Sequence, residues 1–349
     1  MKIHFYNLAM RRIFLSGLIT TWLLAGLLPG ATAGLNAPIN LDNPRVVPIF
    51  GQYNASQIST VAGWSGFLYS PRIVLSAAHS HYKFDSNGNR IPEEPPFITV
   101  GKPNSSAKST DGRVKVIKTF IGDYKRSNLG GANDFAVLVL DSDLIQLTPA
   151  KLITPEIETE LVNVRAEVTF HGYGEYRDRC SPGQKNPCPK DFNNPDQRTS
   201  ELPRVNKINL APKSDFAWLQ GQSLIDASTE TLVSNHKACS GDSGGPITTT
   251  YKGELLYLGQ GLNGNNVYAC GAGNGLANAK HPEELGMFSP VYKHLDLIKQ
   301  AEEFIKQQPV AEKTKSGNSI PTITCVKGKS TKKVSGPNAK CPKGFVRKK

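Results

Sequence analysis

What this 349-residue sequence lacks removes several explanations at once. Its six cysteines and seven histidines include no close cluster such as C-x-x-C, so a structural zinc site has no ligand set to draw on. Beyond Leu28 no stretch approaches the roughly 18 apolar residues of a membrane span, so nothing downstream would hold the chain in a bilayer. Acid is almost missing from the C-terminal end, where residues 309–349 carry eleven Lys or Arg against Glu312 alone. That imbalance supplies +10 of the net +12, and residues 1–33 supply +3, so residues 34–308 stand at −1. The body is near neutral, and specific nucleic-acid recognition by it is not expected. No internal repeat is visible in the sequence.

The ends of the chain read differently from the middle. Lys2, Arg11 and Arg12 precede an apolar run from Ile13 to Leu28 and the small-residue sequence Ala31-Thr32-Ala33, the three parts of a signal peptide cleaved after Ala33. Read as an anchor, the run holds Ser16, Gly17, Thr20 and Thr21 and is short for a span of about 20 residues. A secreted protein is therefore expected, extracellular or at the cell surface. Six cysteines, an even number, then point to disulfides.

Between Gly51 and Gly264 short apolar or alternating runs are punctuated by Gly, Pro, Asn and Asp, as in Arg113–Phe120, Phe135–Leu140, Glu167–Tyr173 and Arg204–Leu210. That spacing predicts an all-β sandwich or barrel. Pro246–Thr250 and Leu255–Leu262 flank a turn and predict a hairpin. Leu295, Ile298, Ala301 and Ile305, with Phe304 beside them, fall at helical spacing and predict one amphipathic helix ending near Gln308. Arg177–Thr199 reads as a surface insertion, residues 309–322 as a linker and residues 323–349 as a basic two-cysteine tail.

Gly241-Asp242-Ser243-Gly244-Gly245-Pro246 is the most informative stretch. A nucleophilic serine needs an exposed hydroxyl and backbone N–H groups aimed at the oxygen that becomes negative, and glycines allow that approach. A plain Gly-rich turn reads the same way, and the string also satisfies the G-x-S-x-G of α/β-hydrolases. Chain order separates these. In α/β-hydrolases the acid and histidine follow the serine, whereas here Ser76-Ala77-Ala78-His79 and Asn133-Asp134-Phe135-Ala136-Val137-Leu138 precede it.

These three segments resemble, in order, the T/S-A-A-H, N-D-I-A-L-L and G-D-S-G-G-P motifs of the trypsin/chymotrypsin-like serine proteases. Looser likenesses extend the resemblance over residues 49–308. Ile49-Phe50-Gly51-Gln52 with Ala55 is similar to the mature N-terminus, Ser65–Leu68 with Val74-Leu75 to the strands before the histidine, Gly172-Tyr173-Gly174 to G-W-G, and Gly286-Met287-Phe288 to G-V-Y. The resemblance implies an all-β fold of two six-stranded antiparallel β-barrels with a C-terminal helix. It implies a triad of His79, Asp134 and Ser243, an oxyanion hole from the N–H groups of Gly241 and Ser243, protein or peptide substrates, and no cofactor or metal. His81 lies outside the motif; His171, His236, His281 and His294 match none and read as surface or packing residues, and Asp141 and Asp143 read as turn residues.

The resemblance also carries details and departures. Cys239 and Cys270 match the pair that ties the specificity pocket, while Cys180–Cys188 and Cys325–Cys341 are expected from proximity alone. The cysteines that flank the histidine in the family are replaced by Trp64 and Ser80. Asp242 matches the aspartate that pairs with a new amine after zymogen cleavage; Ile49 matches that amine best but follows Pro48, Arg45-Val46-Val47 offers a better cleavage site with a poorer motif, and a cut before Ile49 would make residues 34–48 a short propeptide. Leu262-Asn263-Gly264 stands where the family has S-W-G, so a serine that supports the aspartate is missing. Lys237 matches the pocket floor, where trypsin-like enzymes carry an acid, and Gly264 and Gly286 match the pocket-wall glycines. Two other readings remain open at this point: a non-catalytic trypsin-fold binding protein, and a surface-attached protein whose basic tail holds an acidic cell-surface polymer.

Overall fold

Short alternating runs give strands too brief to bury an apolar face alone, so they close on one another. The structure, a computed structural model, describes residues 37–54, 57–58, 62–84, 90–92, 98–122, 124–127, 130–174, 200–215, 231–234, 241–264, 285–308, 322–328, 330–335 and 340–347. Two compact units divide it, residues 1–302 and 303–349.

Among the described residues of the larger unit, twelve strands build two barrels. The first six are β1 (Val46–Asn54), β2 (Trp64–Ser70), β3 (Ile73–Ser76), β4 (Ile98–Val100), β5 (Val114–Ile121) and β6 (Ala136–Leu140). They pair antiparallel in the order β1-β2-β3-β6-β5-β4 and close when β4 returns to β1, with Ile49 opposite Val100. Val47, Ile49, Leu68, Val74, Ile98, Val100, Val116 and Leu138 fill the interior. Every residue of β6 is buried, and this strand accordingly reads as an unbroken apolar run rather than an alternating one.

After the helix α1 (Pro155–Asn163), six more strands repeat the plan: β7 (Glu167–Gly172), β8 (Arg204–Ala211), β9 (Thr231–Ser234), β10 (Pro246–Tyr251), β11 (Glu254–Gly264) and β12 (Leu285–Pro290). Their order is β7-β8-β9-β12-β11-β10, closed by β10 on β7, so both barrels have the same strand order although their sequences carry no repeat. The expected two six-stranded barrels are therefore present. The β10–β11 hairpin turns through Lys252 and Gly253, both at positive φ (50° and 83°), the geometry of a two-residue type I′ turn.

Two local readings change in the structure. α1 is not among the elements predicted from periodicity; it starts where Thr154 accepts a hydrogen bond from the Ile157 N–H and Pro155 occupies the first turn. In the closing helix α2 (Leu295–Gln307) the buried residues are Leu297, Ile298 and Ala301, while Leu295 is exposed, so the buried stripe is rotated from the expected one.

The activation site expected at Ile49 belongs to a strand in the uncut chain. Ile49, expected at a new N-terminus, lies inside β1, fully buried, paired with Trp64 on one side and Val100 on the other, and its carbonyl accepts from the Gly63 N–H. A cut before Ile49 would strip Val46, Val47 and Pro48 from the β1–β2 ladder. The boundary expected between residues 48 and 49 falls within a strand. Upstream of it, the Arg45 guanidinium donates to the carbonyls of Leu68, Tyr69 and Thr148, and Ile39 bridges Arg204 of β8.

The smaller unit contains a three-stranded antiparallel sheet of β13 (Thr322–Lys327), β14 (Ser330–Ser335) and β15 (Val346–Arg347), with β13 in the middle. Cys325 and Cys341 are joined, S–S 2.04 Å, as expected from their proximity. Cys180, Cys188, Cys239, Cys270 and Lys237 lie outside the described residues.

Candidate active site

β3 and β6 are neighbours with Ser76 opposite Ala136, so the turns at their ends lie side by side. His79 sits in the single 3-10 turn Ala78–Ser80 that follows β3, and Asp134 in the turn that precedes β6. Asn133 enters that turn at φ 58°, a conformation asparagine tolerates better than most residues. The Asp134 carboxylate is fully buried and grips His79 twice: Oδ1 accepts from the His79 backbone N–H at 2.7 Å and Oδ2 from the ring Nδ1 at 2.6 Å. A carboxylate on Nδ1 keeps the proton there and leaves the Nε2 lone pair free. Nε2 lies 2.8 Å from Ser243 Oγ, so the three residues singled out in the sequence form one chain of hydrogen bonds.

Ser243 comes from the second barrel, in the turn before β10. Gly241 and Gly244 take φ of 91° and 79°, and the Gly245 N–H closes the turn on the Asp242 carbonyl at 2.8 Å. The turn is held from the other barrel by Ser65 on β2. The Ser65 N–H donates to the Ser243 carbonyl at 3.0 Å, its hydroxyl donates to the Gly241 carbonyl at 2.9 Å, and the same oxygen accepts from the Tyr173 N–H. One small buried side chain therefore fixes both the turn that carries Ser243 and the end of β7. Asp242 is buried, and its Oδ1 accepts from the Gly174 N–H at 2.8 Å. Gly172 and Gly174 make that possible, since a Cβ on either would meet the Asp242 carboxyl at 2.5 Å or closer.

A family model described as Trypsin matches residues 51–298. This chain belongs to the trypsin family. No curated protein matches it. Family membership accounts for the two barrels with a candidate site at their junction, and the departures within this trypsin-family chain can now be placed.

Trp64 and Ser80 stand at the positions of the missing cysteine pair. The Trp64 ring meets His81 edge-on at 5.6 Å, and Ser80 is buried. His81 is itself fully buried, with neither ring nitrogen partnered among the described residues, and burial, with His79 close by, pushes it down to about 3. It stays neutral and takes no part in the hydrogen-bonded chain. His294 is likewise a packing residue, stacked on Phe135 with ring centroids 4.5 Å apart and bonded through Nε2 to Ser289. His171 is buried at the end of β7, while His236 and His281 lie outside the described residues.

The missing serine is answered from another position. Two residues before Leu262, Gln260 of β11 donates from Nε2 to the Asp134 main-chain carbonyl at 2.9 Å, and its Oε1 accepts from the Tyr257 hydroxyl at 2.8 Å. Burial raises the Tyr257 pKa far above its ordinary value, so the hydroxyl remains a donor. A hydroxyl donor on one side of the amide requires oxygen there and turns the NH2 toward Asp134. All three groups are fully buried or nearly so. A polar residue in the apolar run Leu255–Leu258 and Gly259-Gln260 is the sequence signal that finds it. Gln260→Leu is expected to lower kcat about tenfold with little change in KM, because it frees the backbone that carries the carboxylate without touching the substrate site. Steady-state kinetics on a peptide substrate checks this, and an unchanged kcat would remove Gln260 from the machinery.

Gly264 and Gly286 are direct partners across β11 and β12. Among the described residues no three His, Cys, Asp or Glu side chains converge as a metal site would require. No helix among them is long and apolar enough to cross a membrane.

Proposed function

We propose that this chain is an exported serine endopeptidase that cleaves protein or peptide substrates through an acyl-enzyme, with His79, Asp134 and Ser243 as its triad. The observation that supports this best is the continuous chain Asp134–His79–Ser243, at 2.6 and 2.8 Å, in which the carboxylate spends both oxygens on one histidine. As Ser243 Oγ attacks the scissile carbonyl, Nε2 of His79 takes its proton, and Asp134 stabilises the imidazolium that results. The carbonyl oxygen becomes negative and is received by the N–H groups of Gly241 and Ser243, donors worth roughly 3–4 kcal/mol each in such chemistry. His79 then protonates the leaving amine, the acyl group remains on Oγ, and water activated by the same imidazole releases it.

The carbonyl of Gly241 is pinned by Ser65, which restrains the turn that presents these donors. Labelling with a fluorophosphonate, followed by peptide mapping, tests the proposal. The label is expected on Ser243 and is expected to be lost in His79→Ala. Protein that is folded but takes no label, and cleaves no casein-like substrate, would make it a binding protein instead.

The reading extends to specificity. Lys237 stands six residues before the nucleophile, where an acid would attract Arg or Lys side chains, and a cation there repels them. Gly264 and Gly286, partners without side chains, leave the pocket wall open. A peptide-library profile is expected to show no dominant cutting after Arg or Lys. A profile dominated by cutting after those residues would defeat the electrostatic argument.

A further inference from the structure

The smaller unit has a built cationic face that the protease reading does not use. In an antiparallel ladder directly opposed residues project to the same side, and so do residues two apart on one strand. Cys325, in the middle of central strand β13, is opposed by Lys332 of β14 and by Arg347 of β15. Lys327, two residues along β13, belongs to the same side. Its ammonium lies over the turn at Gly344, where an added Cβ would stand 3.2 Å from Nζ. Thus Lys327, Lys332 and Arg347 share one face with buried Cys325, whose bond to Cys341 ties the segment 340–345 to the sheet.

All three cations are exposed, and residues 323–349 contain no acid that could neutralise them. Neighbouring strands lie about 5 Å apart and alternate residues about 7 Å along a strand, so the three side chains start within roughly 10 Å of one another. Lys333 is opposed by Thr324 and projects to the other side.

We infer that this face docks the protein on an acidic polysaccharide, a polymer that presents carboxylates at regular intervals. Charge complementarity carries the inference, and the composition of the unit narrows the occupant. Single-stranded nucleic acid is gripped by exposed aromatic platforms, and the only aromatic residue in 322–347 is the half-buried Phe345. Insertion into a membrane needs an apolar face, and among the residues of this unit whose exposure is described the exposed large hydrophobic is Val346 alone. What remains is a rigid, hydrophilic, positively charged surface suited to a hydrated polyanion.

The test compares retention of the full chain on immobilised alginate at low and rising salt, with peptide hydrolysis followed in parallel so that catalysis and docking are scored separately. Lys327→Gln, Lys332→Gln and Arg347→Gln together are expected to weaken binding about tenfold or more. Lys313→Gln, Lys315→Gln and Lys333→Gln remove the same charge while keeping Lys327, Lys332 and Arg347, and are expected to change it far less. The charge-keeping set Lys327→Arg, Lys332→Arg and Arg347→Lys should bind like the parent. Equal losses from the two neutralising sets would overturn the built face and leave only net charge. Binding to DNA or to phosphatidylglycerol vesicles that exceeds binding to alginate would overturn the occupant.

Discussion

Ser243→Ala and His79→Ala are each expected to lower kcat/KM for amide hydrolysis by about 10⁴-fold or more. The reason is the shared path of one proton. Ser243 Oγ lies 2.8 Å from His79 Nε2, and that nitrogen is available as a base when the proton sits on Nδ1, the tautomer that the Asp134 carboxylate favours. Removing either partner stops the same step, so the double variant should be no slower than the slower single one. Residual turnover over water is expected from the Gly241 and Ser243 donors. Progress curves with purified, folded variants decide the matter: a single variant that keeps more than about a hundredth of the activity, or additive losses in the double, would show that the three residues do not act as a unit.

Gly244→Ala is expected to be nearly as damaging by a different route. Gly244 sits at φ 79°, and an added Cβ would stand 2.2 Å from Ser76 Oγ, 2.5 Å from the Ser65 carbonyl and 2.9 Å from the Ala77 nitrogen. The left-handed backbone alone costs an alanine on the order of 1 kcal/mol. Two of the three colliding atoms are backbone and cannot swing away, so β2 or the turn that carries Ser243 must shift, and with it the bonds Ser65 makes to Gly241 and Ser243. A loss of roughly 3 kcal/mol or more in stability and at least about 100-fold in activity is expected. Gly253→Ala is the control. It has a similar φ of 83° but nothing within 4 Å of its added Cβ, so it should cost about 1 kcal/mol and leave activity intact. Chemical denaturation and kinetics on both variants separate strain from collision; equal effects would refute the packing argument.

The parts of this protein that read directly from its sequence are those whose physics is local. The strands at Glu167–Gly172 and Arg204–Ala211 were legible because alternation is a property of consecutive residues, and the hairpin at Lys252-Gly253 because a type I′ turn selects its own residues. His79, Asp134 and Ser243 were legible for a related reason: each is embedded in a short motif whose neighbours shape the turn that presents it. α1 escaped because its nine residues carry a weak apolar stripe, and only the Thr154-Pro155 start marks it. The terminus expected at Ile49 carries no such unambiguous local mark, because Ile-Phe-Gly-Gln resembles a short motif while also being apolar enough to run as the middle of β1.

By itself, then, the sequence determined the all-β class, the three motifs that carry His79, Asp134 and Ser243, and the location of the charge at the ends, since each follows from residues close together in the chain. Tertiary structure alone decided what holds those residues in place. Ser65 reaches Gly241 across 176 positions, and Gln260 reaches Asp134 across 126. Neither partner carries a mark in its own neighbourhood that names the other. Their pairing depends on which strands close each barrel and which faces then meet, and on the cost of leaving a buried polar group without a partner, which only the folded chain can satisfy.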